Sequence, residues 1–247
     1  MIHLSSMNLK CTPKGLATVG QLLNKGAYVT VIDNNANATN VVTDQKIPHP
    51  MPGAPEGWTA LDVVREQGGT SEEFAIDDDG VEFVAIHTLP NLKSFPEGQE
   101  VRWIKADCTD EKEVERAFRT AHRYGKRVLM CPNGFFGVVC TAGKPAGPGP
   151  APNQPPMPVW SVDGMAYQDM MAHNASLPFY VCKWATHFMK DNDIDVNNGE
   201  RGNLVFVGSI AAATSMQQWT GHVMGKAALH GAILMWARDC AGSILFR

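Results

Sequence analysis

Apolar residues recur along the chain in two alternating rhythms. Leu16, Val19, Leu22 and Leu23 fall at helical spacing, and Gly26 follows where a glycine commonly stops a helix. Directly after it, AYVTVID (residues 27–33) is a short, β-branched, nearly continuous apolar run closed by an acid. That is the pattern of a parallel strand buried on both faces. A helix feeding such a strand predicts a β-α-β unit whose first strand falls on MIHLSSM, a poor strand interrupted by His3, Ser5 and Ser6.

The same alternation continues downstream. Residues 101–106 read as a strand, followed by a helix with Thr109 as N-cap and Asp110 and Glu111 in its first turn. FFGVVCTAG (135–143) is an apolar strand ending in small residues, and GNLVFVGSIAA (202–212) is another. DGMAYQDMMAHNASLPFYVCKWATHFMKDN (163–192) is a long amphipathic helical stretch in which Pro178 marks a kink or restart. GHVMGKAALHGAILMWARDCAG (221–242) is a helix apolar on most faces, and SILFR (243–247) begins one more strand.

Between these lie less regular parts. IPHPMPGAPEG is a proline-rich loop, WTALDVVREQGG has a helical pattern, and DDDGVEFVAIHTLPNLKSFPEG reads as a hairpin or irregular insertion. Seven of the fourteen residues in 145–158 are proline, so this segment is extended and semi-rigid. Alternating strands and helices predict one α/β domain over residues 1–247: a doubly wound, Rossmann-type parallel sheet covered on both faces. Residues 37–98 form an insertion-rich region within it, and 144–158 a proline-rich loop.

Composition narrows the function classes. A 44% hydrophobic and 19% charged chain of 247 residues is an ordinary globular one. Its net charge of −4 offers no basic footprint for nucleic acid or an anionic membrane. The six cysteines include no C-x-x-C pair, which argues against a zinc site or disulfide framework and fits reduced thiols in the cytoplasm. There is no signal-peptide pattern and no apolar run long enough to span a bilayer. His173 and His187 lack partners at metal-ligand spacing and read as structural. Met165, Met170 and Met171 read as core filler.

Six segments in order, KGLATVGQLLNKGAYVTVID, KADCTDE, VVCTAG, AHNASLPFYVCKWATHFM, RGNLVFVGSIAA and GKAALHGAILMWARD, together resemble the short-chain dehydrogenase/reductase family. The resemblance implies hydride transfer between a nicotinamide and a secondary alcohol or ketone. It places Asn174 at the family's water-anchoring asparagine, Ser209 at the serine that binds the substrate oxygen, and Lys226, seventeen residues later, at the lysine. The position of the proton-moving tyrosine is then His222. A neutral imidazole both donates and accepts protons, and a cationic lysine one turn away depresses its pKa.

The resemblance also implies a cofactor site. Of the family's glycine-rich loop only Gly15 remains in NLKCTPKG, with Leu9 and Pro13 at glycine positions. Asp33 ends the second strand where a carboxylate binds ribose hydroxyls and repels a 2′-phosphate, favouring NAD over NADP. Asp107 matches the acid at the adenine, and Thr141, Ala142 and Gly143 replace the usual N-N-A-G motif. Helices over 176–190 and 222–239 correspond to the family's dimer-forming pair, implying a homo-oligomer. The family's C-terminal strand region, nicotinamide-side loop and substrate lid are expected to be missing after SILFR. Two other readings stand beside the enzyme: a catalytically impaired scaffold that pairs with a full-length relative, and a non-redox enzyme on the same fold.

Overall fold

The computed structural model describes residues 2–4, 18, 21–22, 27–33, 70–71, 75–76, 82–87, 100–127, 133–146, 158–197, 199–214, 216, 219–241 and 244–246. Nine strands form one sheet: β1 (Ile2–Leu4), β2 (Val29–Asp33), β3 (Thr70–Ser71), β4 (Ala75–Ile76), β5 (Glu82–His87), β6 (Glu100–Lys105), β7 (Gly137–Cys140), β8 (Asn203–Phe206) and β9 (Leu245–Phe246). Their order is β3-β5-β6-β2-β1-β7-β8-β9, with β4 also on β5. From β6 to β9 every pairing is parallel, while β3, β4 and β5 add an antiparallel flap. The hairpin-like reading of the insertion is met at β5.

The interrupted segment at the chain start is the central strand after all. Leu4 pairs with Ile32 on one side and Cys140 on the other. The chain winds outward in both directions from β1, which makes this the switch point where an open α/β sheet leaves a crevice at its carboxyl edge. All five residues of β2 are buried, as a strand covered on both faces requires. SILFR does start a strand, paired in parallel with β8.

Among the described residues, the α-helices described from end to end are α1 (Glu111–Arg127), α2 (Gly164–Met171), α3 (Leu177–Met189) and α4 (Thr220–Asp239). Val114, Ala117, Phe118 and Ala121 give α1 one buried stripe at i, i+3, i+4 and i+7. It packs beside α3, whose Leu177, Val181, Ala185 and Met189 are equally enclosed. The cap of α1 differs from expectation. Asp110, not Thr109, accepts from the backbone N–H groups of Lys112 and Glu113 (2.8 and 3.3 Å), because Thr109 turns back to Asp107. Phe118, Ile104, Val138, Leu204 and Phe206 join these helices in one core. Fully burying a side chain of this size stabilises the fold by about 1.5–3 kcal/mol.

The expected helix over 16–23 is described at residues 18 and 21–22, which are helical. Gly15, the helical pattern of 58–69 and most of the proline-rich loop lie outside the described residues. No helix among the described residues is long and apolar enough to cross a membrane.

Candidate active site

The carboxyl ends of β2, β6, β7 and β8 bring the predicted residues to one edge of the sheet. Asp33 closes β2, Asp107 follows β6, Thr141, Ala142 and Gly143 follow β7, and Ser209 follows β8. Helix α4 then contributes His222 and Lys226 from successive turns of one buried face.

Asn174 reaches the same place through a break in helix geometry. Between α2 and α3 the backbone makes a π-type turn at Ala172–Ser176. Pro178 sits in the first turn of α3, where a missing N–H costs nothing, so the proline restarts the helix. Single π turns of this kind commonly serve functional positions. Asn174 is fully buried, and its Nδ2 donates to the carbonyls of Lys144 (3.0 Å) and Met170 (3.1 Å). Its Oδ1 is enclosed with no hydrogen-bond partner among the described residues.

Gly143 separates that orphan acceptor from the lysine. A Cβ built on Gly143 would lie 2.8 Å from Asn174 Oδ1 and 3.0 Å from Lys226 Nζ, and its φ of +151° suits glycine. Lys226 is buried and donates to the Val207 carbonyl at 3.2 Å. A buried amide oxygen without a partner is costly unless a polar ligand completes it.

His222 is 9% exposed, and its Nδ1 lies 3.1 Å from the Lys144 carbonyl. Asn174 and His222 therefore share one acceptor. Burial pushes the imidazole pKa below its ordinary 6.5; the carbonyl bond opposes this and the Lys226 charge adds to it. The net effect favours the neutral ring. Trp219 meets it edge-on, with centroids 6.1 Å apart. Ser209 caps the short turn Ile210–Ala212, its Oγ accepting from Ala211 N at 3.2 Å, and that turn packs on α4. The hydroxyl still has its proton to donate.

At the carboxyl ends of β2 and β6, Asp33 is fully buried and Asp107 spends one carboxylate oxygen on Thr109 N and Oγ1 (2.9 and 2.7 Å). Beneath the crevice, burial raises the Cys140 thiol to about 11 and pushes Cys108 up as well. Burial thus disfavours the thiolate at both positions. No group of His, Cys, Asp or Glu among the described residues could hold a metal ion. His173 is buried and bonds the Asp169 carbonyl at 2.9 Å, and His187 packs edge-on against Trp184 and Phe188. The methionines correct the core-filler expectation: no residue of α2 is buried and Met165 is 77% exposed. Met170 is the one that touches the site, through Asn174 and Gly221.

Two participants carry no sequence signature. Lys144 meets Asn174 and His222 through its main-chain carbonyl, and Val207 meets Lys226 likewise, so neither contact is marked by residue type. Gly225 was hidden for the opposite reason, since only its lack of a side chain lets α4 approach Asn174.

No protein-family profile and no curated protein matches the chain. Solved structures do. A short-chain type dehydrogenase/reductase from Mycobacterium ulcerans is similar at 20% identity and a TM-score of 0.59, over 99% of this chain and 66% of that one. The NADH-dependent reductase A1-R′, solved with NAD, is similar at 18% identity and a TM-score of 0.61, over 99% of this chain and 75% of that one. A dehydrogenase/reductase from Sinorhizobium meliloti 1021 is similar at 18% and 0.60, over 99% and 69%. The chain thus has the short-chain dehydrogenase/reductase fold, a Rossmann-like α/β fold, and spans about two thirds to three quarters of these structures' lengths.

Proposed function

We propose that the chain is an NAD(P)-dependent oxidoreductase that interconverts a secondary alcohol and a ketone. The observation that carries this reading is the convergence on Gly143 and Lys144 of Asn174, His222 and Lys226, from a π turn and a helix far apart in sequence. Ser209 holds the substrate oxygen through its hydroxyl, His222 moves the proton, and Lys226 binds ribose hydroxyls while adding its charge to the burial that lowers the histidine pKa.

The nicotinamide half of a dinucleotide fits these residues. The orphan Asn174 Oδ1 and the buried Lys226 ammonium flank a face that Gly143 leaves free of side-chain atoms. Thr141 and Ala142 would back that half, with Asp107 and Asp33 toward the adenosine and Gly15 at the phosphates. Asp33 favours NAD over NADP by repelling a 2′-phosphate. When bound, the nicotinamide would supply the hydride-transfer chemistry. Exposed Phe179 on α3 and Leu234 and Met235 on α4 support a homo-oligomer through those helices.

Thermal-shift titration with NADH, and NADPH as control, tests the reading. At a hundredfold excess over Kd, specific binding stabilises by about 2.7 kcal/mol. For a chain of this size that raises Tm by roughly 5–10 °C. A saturable shift, larger with NADH, supports the cofactor site and the role of Asp33. No shift with either nucleotide favours the non-catalytic scaffold.

A further inference from the structure

The Lys144 carbonyl has a chemical consequence for the neighbouring ring. A carbonyl oxygen accepts hydrogen bonds and cannot donate, so the His222 nitrogen facing it at 3.1 Å must carry the proton. A neutral imidazole has one proton to place. With it on Nδ1, Nε2 is left as a bare acceptor.

We propose that the Lys144 carbonyl locks His222 in its Nδ1–H tautomer, making Nε2 a general base that serves alcohol oxidation rather than a proton donor for ketone reduction. This rests on the oxidoreductase reading of the same site. Three features hold the carbonyl in place. Pro145 follows Lys144 and biases it toward extended backbone. The Lys144 side chain is ion-paired with Asp169 on α2. Asn174 Nδ2 donates to the same oxygen from the π turn. The asparagine cannot flip to compete for another arrangement, because its Nδ2 already sits between two carbonyls that would repel Oδ1.

The charged and titratable groups around the ring agree with a neutral base. Lys226, one turn on, disfavours an imidazolium, and the Lys144 ammonium is matched by the Asp169 carboxylate, which His173 also contacts at 3.2 Å. In the oxidative step the alcohol O–H bond breaks and its proton goes to Nε2. The carbinol C–H bond breaks with its electron pair, a hydride passing to oxidised nicotinamide, and the C=O bond forms. The alcohol is oxidised, the nicotinamide reduced, and the imidazolium passes its proton to water. The reverse direction needs an imidazolium, the form that burial and Lys226 oppose.

The test reads the tautomer without turnover. Long-range 1H–15N spectra of the 15N-histidine-labelled chain at pH 8 report which ring nitrogen of each histidine is protonated. His222→Asn assigns the signal while keeping an amide N–H for the Lys144 carbonyl, and Pro145→Ala provides a second perturbation of the same signal should that variant fail to fold. The expected result is a protonated Nδ1 and a bare Nε2. A protonated Nε2, or an even mixture of tautomers, overturns the proposal. Kinetics of the unmodified chain separate the two readings: alcohol oxidation that is flat between pH 7 and 9 and falls at least a hundredfold in His222→Asn is expected for this base. Oxidation that climbs tenfold per pH unit over that range overturns the base assignment. If no alcohol or ketone turns over with either nucleotide while Nδ1 is protonated, the oxidoreductase reading fails and the tautomer lock stands.

Discussion

Gly225 lies against Asn174 so closely that a Cβ built on it would fall 2.6 Å from the asparagine's own Cβ. The contact joins α4 to the π turn between the two residues, His222 and Lys226, that α4 brings to the site. Gly225→Ala should therefore move Asn174 and cost about 1–3 kcal/mol through overpacking. Gly231 is the control. It lies on the same helix, is exposed, and has open space where a Cβ would go. Gly231→Ala should stabilise by roughly 0.5–1 kcal/mol through helix propensity. Thermal melts of the pair check this, and equal shifts of the same sign would remove the proposed contact.

His222→Tyr should raise ketone reduction at pH 7, since a neutral phenol has a proton to give where the neutral imidazole has a bare nitrogen. Alcohol oxidation should respond oppositely at neutral pH, because a phenol of ordinary pKa near 10 must first lose its proton. The acid limb of the oxidation profile should move to higher pH. Paired pH–rate profiles of both chains measure this. No gain in reduction, with folding intact, would count against His222 as the proton-moving group.

Lys226→Met should weaken nicotinamide nucleotide binding by about tenfold or more, the worth of a charged hydrogen bond at about 1.5–3 kcal/mol. It should also let the His222 pKa rise, because the ammonium is one of the causes holding it down. Nucleotide titration and a histidine NMR titration read the two effects separately. An unchanged histidine would show that the ammonium has no part in setting its pKa.

Acid should destabilise the fold through its histidines. His122 and His222 both sit below their unfolded value of 6.5, His122 through burial and then the charges of Lys126 and His187. Above pH 6.5 neither state binds the proton and nothing is lost. As pH falls below 6.5 the unfolded chain takes up protons that the folded chain resists, until the folded-state pKa is passed. Stability should decline over that window, and His222→Asn should flatten part of the slope. Denaturant midpoints between pH 5 and 7.5 provide the measurement.

The strand–helix alternation was legible because burial on both faces forces long apolar runs, as in β2, and one-sided packing forces a stripe, as in α1. The spacing from Ser209 to Lys226 was legible because it is carried by side-chain identities. What stayed hidden follows from where the chemistry sits. Lys144 accepts through its backbone and leaves no mark on residue type. Met165 has an apolar side chain in a helix that presents it outward, so composition pointed inward wrongly. At the start of α1, Thr109 was the expected cap, with Asp110 after it in the first turn. Asp107 settled the choice by taking the hydroxyl and amide of Thr109, leaving the cap to Asp110.

The π turn at Ala172–Ser176 holds one residue more than an α-helix of the same rise would need. In a regular helix a surplus residue would rotate everything beyond it by about 100° and turn Val181, Ala185 and Met189 away from the core. Confining the surplus to one wide turn keeps both flanking helices in phase. A chain shortened by one residue within that turn could run straight from α2 into α3 with its core face unchanged. Such a chain should keep its core and lose the placement of Asn174 against Gly143, so the site can be lost while the scaffold stays.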